Sequence, residues 1–187
     1  MKKILLLVCG LFLSWNAIAL EVEGVKLNDT AKFGTQSLAL NGAGVRTKWF
    51  FKVYVAALYL PQKQTSAEAI IADESEHRIA LHMLRELGSK KLYGAFSEAI
   101  EANHTAAELA SMDAQLKQMA QIFDVVKEVK EGDVITLDYL PTNGTQISVN
   151  GVARGIIAGD PFNRALLRIW LGEKPVQDEM KKGMLGG

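Results

Sequence analysis

The spacing of apolar residues constrains the fold of this chain more than any other sequence feature. Apolar residues recur at every second position in the first half, at every third or fourth position near the middle, and at every second position again afterwards, before a final helical pattern. A spacing of two is typical of strands, and one of about 3.6 is typical of helices. The order of strands, two helices, strands and helices predicts an α+β domain, with a large antiparallel sheet covered on one face by helices.

The first half contains four predicted strands. We expect short strands over residues 21–27 and 36–40, a long one over residues 45–60 that ends at Pro61, and an interior one over residues 78–84. Asn28-Asp29 predicts a turn after the first strand, and residues 41–44 predict a flexible bend.

The helical patterns begin at residues that are typical of helix N-termini. Ser89 is a good N-cap for a first helix, and a second helix is expected over residues 105–126. Asp160 followed by Pro161 predicts the start of a third, which Gly172 ends. The remaining elements are a short helix from 175 to about 183 and strands over 134–140, 145–149 and 152–158, with turns at Asn143-Gly144 and Asn150-Gly151.

The N-terminus has the features of a secretory signal peptide. Lys2 and Lys3 precede an apolar run over residues 4–13, and Ala17 and Ala19 are the small residues that a signal peptidase accepts. We expect cleavage after Ala19 and a periplasmic or secreted protein. An uncleaved membrane anchor is a weaker alternative, because the run is shorter than the roughly 20 residues that span a bilayer.

The expected organisation is therefore a signal peptide, 1–19, followed by one domain, 20–187. Cleavage would remove Cys9, the only cysteine, so the mature chain could form no internal disulfide. It would also remove two of the 21 basic residues and none of the 21 acidic ones, which leaves 19 against 21 and a formal charge of −2. That balance argues against a nucleic acid or an anionic membrane as partner. After cleavage we expect no integral membrane segment.

Motifs for catalysis, cofactors and metals are lacking in the sequence. There is no phosphate-binding glycine loop, dinucleotide fingerprint or nucleophile elbow. The three histidines, His77, His82 and His104, do not have metal-ligand spacing, and we expect His77 and His104 at the surface and His82 in a strand. We therefore expect neither a cofactor nor a metal.

Several segments resemble the chalcone isomerase-like family, which includes plant chalcone isomerases and fatty-acid-binding proteins. Residues 41–46 (NGAGVR) and 52–60 (KVYVAALYL) are similar to the turn and strand that begin the family's core sheet. Residues 96–103 (FSEAIEAN) look like its Tyr-Ser-Glu…Asn stretch, and 166–172 and 184–186 fit its C-terminal helices. The resemblance implies an open-faced β-sandwich, in which helices cover a large antiparallel sheet.

The resemblance also suggests a ligand site. Arg46 corresponds to the family's pocket arginine, which binds a phenolate in the enzymes and a carboxylate in the lipid binders; without the resemblance it would be an ordinary solvated arginine. Tyr54 stands where the fatty-acid-binding branch has a tyrosine, although packing in a core is an equally good reading. The two residues could share a head group only if the chain turns tightly near Thr47-Lys48, because an unbroken strand would separate them by about 26 Å.

Two further residues complete the predicted site. Phe96 replaces the family's catalytic tyrosine, and a phenyl ring cannot stabilise developing charge. Asn103 matches the family's asparagine and either contacts the ligand or fastens a backbone group. These residues predict non-catalytic binding of a fatty acid or a similar small lipophilic carboxylate between sheet and helices. The alternatives are an intramolecular lyase of the chalcone isomerase type and an interaction module without a pocket.

Overall fold

The computed structural model describes residues 20–33 and 36–187, so the predicted signal peptide lies outside the described residues. The strands, in chain order, are β1 (Leu20–Val22), β2 (Val25–Leu27), β3 (Thr30–Phe33), β4 (Gln36–Lys48), β5 (Phe51–Leu60), β6 (His77–Met83), β7 (Leu87–Gly88), β8 (Glu128–Val129), β9 (Val134–Leu140), β10 (Gly144–Val149) and β11 (Val152–Ile157). The helices are α1 (Ala67–Ala72), α2 (Ser89–Ala102), α3 (Ala106–Ser111), α4 (Asp113–Val126), α5 (Asp160–Leu171) and α6 (Asp178–Met184).

The main sheet has seven strands in the order β11-β10-β9-β6-β5-β4-β3. Every pair is antiparallel, which confirms the predicted α+β class. Strand β6 lies between β5 and β9, as its apolar residues on both faces predict. The Asn150-Gly151 turn has positive φ at both residues, 51° and 77°, as tight hairpins require.

The predicted strand over residues 45–60 is wrong, because the chain reverses within it. Strands β4 and β5 form a hairpin whose turn is Trp49-Phe50. Neither residue is typical of a turn, and this is why the sequence pattern runs through it unbroken. The reversal places Arg46 directly opposite Tyr54 in the pairing register.

The predicted bend over residues 41–44 is also wrong, because these residues lie inside β4. Their glycines serve close packing instead. A Cβ atom at Gly42 would lie 2.2 Å from the Gly183 carbonyl oxygen, and one at Gly44 would lie 2.5 Å from that of Met180. Glycine at these positions therefore lets helix α6 approach the backbone of the sheet.

Three other predicted boundaries change. Residues 21–27 form the β1–β2 hairpin, which turns at Glu23-Gly24 and pairs separately from the main sheet. The helix over 105–126 is divided at Met112 into α3 and α4. The N-caps of α2 and α5 are Gly88 and Gly159, one residue before those predicted.

Strand β5 shows how the sheet separates two apolar layers. Its residues alternate between the layers, because successive side chains of a strand point to opposite faces. Tyr54, Ala56 and Leu58 face the helices, whereas Val55 and Ala57 belong to a smaller cluster that includes the β1–β2 hairpin. None of the helices in residues 20–33 and 36–187 combines the length and hydropathy that a bilayer crossing needs.

Candidate functional site

A cavity of about 1070 Å³ lies between the main sheet and the helices that cover it. Ligand sites for small molecules commonly have about 300–1,000 Å³, so this volume suits a sizeable ligand. The walls are mostly apolar and come from β6, β9, β10, α2, α4 and α5; they include Leu137, Ile147, Val149, Phe123 and Ile169.

The cavity lining includes both buried and exposed residues. Ile147 and Val149 of β10 are buried. Trp49 and Phe51, at the β4–β5 turn, also line the cavity, and their exposed fractions are 83% and 59%. The cavity therefore opens to solvent at the β4–β5 turn. We call this opening, with the lining residues Arg46, Trp49, Phe51 and Tyr54 beside it, the mouth.

Arg46 lies at the mouth and is held by neutral groups. Its Nη1 donates to the Thr47 carbonyl oxygen at 3.2 Å and to Gln177 Oε1 at 3.4 Å. The same Gln177 oxygen accepts a hydrogen bond from the Thr47 N–H at 2.9 Å, which fastens the start of α6 to β4. Gln177 therefore positions both the strand and the guanidinium.

The charge of Arg46 is not neutralised by the protein around it. Within the part of the chain that the structure describes, no carboxylate forms an ion pair with Arg46. The cationic guanidinium has five N–H donors, and the two contacts above use only those of Nη1. A partly buried cation beside an apolar cavity is suited to bind an anionic group.

Tyr54 is prepared to donate a second hydrogen bond at the same place. Its hydroxyl oxygen accepts from Trp170 Nε1 at 3.2 Å, so its own O–H remains available as a donor. Burial raises the pKa of Tyr54, against smaller opposite effects of the Trp170 hydrogen bond and the Arg46 charge. The phenol therefore stays protonated at neutral pH.

The other two predicted residues have different positions. Phe96 lines the cavity from α2, and its ring lies 5.8 Å from that of Phe123, so it forms apolar wall. Asn103 is not among the lining residues of the cavity. Its Nδ2 donates to the carbonyl oxygens of Ala99 and Lys174, at 3.0 and 2.8 Å. Its Oδ1 accepts a hydrogen bond from the Lys174 N–H. Of the two roles expected for Asn103, the structure favours fastening the backbone.

Arg85 also belongs to the mouth, and we did not select it from the sequence. Its guanidinium lies over the Phe51 ring, 4.6 Å from the centroid. Its Nε is buried and has no hydrogen-bond partner among the described residues. Arg85 lies two residues after β6, whose end pairs with the start of β5, with Met83 opposite Tyr54. Neither this pairing nor the start of β5 is predicted from the sequence, so Arg85 could not be selected from it. Gln177 and Trp170 reach the site from α6 and α5, and nothing in their local sequence marks them.

The histidines do not form a site, and one expectation about them is wrong. His77 is buried, with 3% of its surface exposed, rather than at the surface. Its ring nitrogens lie 3.1 Å from the Ser75 carbonyl oxygen and from Asn163 Oδ1. Burial lowers the pKa of His77, and these two hydrogen bonds oppose the shift.

Comparison with known proteins agrees with this architecture. The model of a family described as chalcone isomerase-like matches residues 19–186. The chain belongs to this family. A crystal structure of a fatty-acid binding protein from Arabidopsis thaliana has the same fold, with a TM-score of 0.66 and 18% identity over 87% of this chain and 92% of that one. A search of curated proteins found no match.

Proposed function

We propose that this protein binds a fatty acid or a similar small lipophilic carboxylate in the cavity, without catalysing a reaction. The observation that carries the proposal is the un-neutralised Arg46 at the mouth of a large apolar cavity. A long-chain acid has the matching distribution of chemistry, with one anionic end and an apolar remainder.

The two parts of such a ligand would contribute in different ways. Each methylene group removed from water stabilises the complex by about 0.8 kcal/mol. The carboxylate would accept charge-assisted hydrogen bonds from Arg46 and a further one from the Tyr54 hydroxyl, which Trp170 holds in place. The chain would provide most of the affinity, and the head group would set its orientation.

The family and the fold support this choice. The structurally similar Arabidopsis protein is described as a fatty-acid binding protein. Phe96 contributes a phenyl ring to the wall, where it can contact an alkyl chain but cannot donate a hydrogen bond. A module without a pocket does not account for a cavity of about 1070 Å³.

Export is the second part of the proposal. The charged start, apolar run and small residues at 17 and 19 support cleavage after Ala19 and a periplasmic or secreted location. The mass of the protein purified from cell fractions tests this directly. A mature chain that begins at Leu20 is expected, and an intact chain in the cytoplasm would contradict it.

Native mass spectrometry of residues 20–187 tests the binding function. All described strands and helices lie in this part of the chain. We expect a stoichiometric acidic lipid that is lost in Arg46→Ala and retained in Arg164→Ala. The second variant is the matched control, because Arg164 pairs with Glu74 at the surface away from the cavity.

The experiment also has an outcome that contradicts the proposal. Folded protein that carries no lipid and takes up none when an excess of fatty acid is added would exclude this function. Turnover of chalcones by such a protein would then support the intramolecular lyase.

A further inference from the structure

The β4–β5 turn exposes three consecutive aromatic residues beside the mouth. The exposed fractions are 83% for Trp49, 93% for Phe50 and 59% for Phe51. Single exposed apolar residues are common, but a group of adjacent exposed aromatic side chains at a hairpin turn is not. We call these three residues the aromatic tip.

The aromatic tip also contradicts local preferences of the backbone. Trp49 has a φ of 63°, in the left-handed region that glycine and asparagine occupy most easily. A bulky aromatic residue there is strained, and its exposed ring gains little packing in return. Strain of this kind is found most often where a residue has a function other than folding.

Basic side chains lie next to the aromatic tip. Lys48 and Lys52 flank it in the chain, and the Arg85 guanidinium lies over the Phe51 ring. Among the described residues, the cavity lining adds Arg46, Lys91 and Lys174, and its one acidic residue is Glu98. Lys52 lies on the same hairpin, where it pairs with Glu23. The near-neutral total charge of the chain conceals this local concentration, so the sequence-based argument against an anionic membrane does not apply to this end of the molecule.

We propose that the aromatic tip docks this protein on the surface of an anionic lipid bilayer, with the mouth of the cavity facing the membrane. Trp and Phe side chains insert between head groups, and surrounding Lys and Arg side chains attract anionic lipids. A second copy of the chain is the less suitable occupant, because two such tips would bring like charges together.

Docking would give the cavity direct access to its ligand. An acyl chain could pass from the bilayer into the mouth without entering water. Exposure to water is unfavourable for long apolar chains. This step depends on the lipid-binding function proposed above. The docking itself does not, since it requires only the aromatic tip and the basic side chains.

Vesicle co-sedimentation of residues 20–187 tests the docking. We expect binding to vesicles of phosphatidylethanolamine and phosphatidylglycerol, and at least about tenfold weaker binding for the double variant Trp49→Ser/Phe50→Ser. The control is Val152→Ser/Ile156→Ser, which removes two other exposed apolar residues, 54% and 53% exposed, from the edge strand β11, which three strands separate from the β4–β5 hairpin. This control should bind like the wild type.

Tryptophan fluorescence gives a second measurement. Without Trp15, the chain keeps only exposed Trp49 and buried Trp170. A blue shift on adding anionic vesicles, absent with phosphatidylcholine vesicles and absent in Trp49→Phe, is the expected result. Equal binding to both vesicle types would contradict the role of the basic residues.

Three results would overturn the docking. They are no binding of the wild type to anionic vesicles, equal binding of the tip variant, and self-association through the tip without vesicle binding, which would assign the surface to a second copy. Lipid content, measured by native mass spectrometry, reports separately on the cavity. Docking of a protein that binds no lipid would contradict only the proposed ligand.

Discussion

The two ends of strand β6 both have polar groups on the helix-covered face, but they differ in how these groups are paired. At the β6 start, the rings of His77 and Tyr139 lie 5.0 Å apart. His77 contacts Ser75 and Asn163, and the Tyr139 hydroxyl donates to Asp160 at 2.6 Å. These polar groups of His77 and Tyr139 are paired within the protein, as buried polar groups usually are. Glu76, the residue before β6, has a buried Oε2 without a hydrogen-bond partner among the described residues, but Glu76 does not line the cavity.

The other end of β6 leads to the mouth, where the polar groups keep unused capacity. Arg46 contacts only neutral oxygens, Tyr54 keeps a free O–H, and Arg85 has a buried Nε without a partner among the described residues. The contrast shows that burial of a polar group does not by itself indicate a binding site. Incomplete pairing beside a cavity does.

The largest expected effect is at the start of β6, the end where the polar groups of His77 and Tyr139 are paired, which we call the paired end. His77→Ala would remove the closer of the two side-chain partners of Asn163 Oδ1, leaving Thr145 at 3.5 Å, and would remove a packed ring, so we expect a loss of about 2–4 kcal/mol of unfolding free energy. Urea unfolding measures the loss, and fatty-acid affinity measured under native conditions should stay unchanged. Loss of affinity with intact stability would reverse the assignment of the two ends.

Arg46→Met should weaken fatty-acid binding and leave the stability of the protein almost unchanged, which is the opposite of the result expected for His77→Ala. Loss of charge-assisted hydrogen bonds to a carboxylate is worth about 1.5–3 kcal/mol, or roughly 10- to 150-fold in affinity. Unfolding free energy should change by less than about 0.5 kcal/mol. Isothermal titration with a fatty acid gives the affinity, and Arg164→Met is the matched control. Equal affinity of both variants would show that Arg46 does not contact the ligand.

Acid should lower the unfolding free energy of the protein through His77, at the paired end. Because burial lowers the pKa of His77, the unfolded chain binds more protons than the native protein below about pH 6.5, so unfolding free energy falls as pH falls. The slope from this residue is at most about 1.4 kcal/mol per pH unit. His77→Gln should flatten the dependence; His82, whose pKa is also lowered, remains in both proteins. An unchanged slope would contradict the assignment.

The smallest expected effect is that of Tyr54→Phe. The variant loses one hydrogen bond to the carboxylate, worth about 0.5–1.5 kcal/mol, or roughly two- to tenfold in affinity. Binding of a long-chain alcohol, which has no carboxylate, is the reference titration. A larger loss than that of Arg46→Met would assign the main head-group contact to Tyr54.

The sequence was sufficient for the class of fold and for selecting two residues, Arg46 and Tyr54, that the structure places together at the mouth. Alternation and helical spacing identify the strands and helices, and the family resemblance identifies Arg46 and Tyr54. Arg46 and Tyr54 lie together because the chain reverses direction between them. The sequence does not reveal this reversal, since the turn consists of Trp49 and Phe50, which are not typical turn residues. Local patterns also could not reveal Gln177, which is 131 positions from Arg46 and contacts it only through the packing of α6 on β4.

The glycines show the same limit. Gly42 and Gly44 predict a bend when only their neighbours in the sequence are considered. Glycine is required at both positions because the backbone of α6, which is far away in the chain, leaves no room for a Cβ atom. A residue selected by long-range packing can be interpreted only when its spatial partner is known.

Carbon-13 NMR of a carboxyl-labelled fatty acid, bound at saturation, tests the central claim most directly. Next to the charged Arg46 guanidinium, the pKa of the bound carboxyl group should lie below that of the same ligand in Arg46→Met. A pH titration of the carboxyl resonance measures both values. The account predicts a lower pKa in the wild type, and identical titration in the two proteins would show that the head group binds elsewhere.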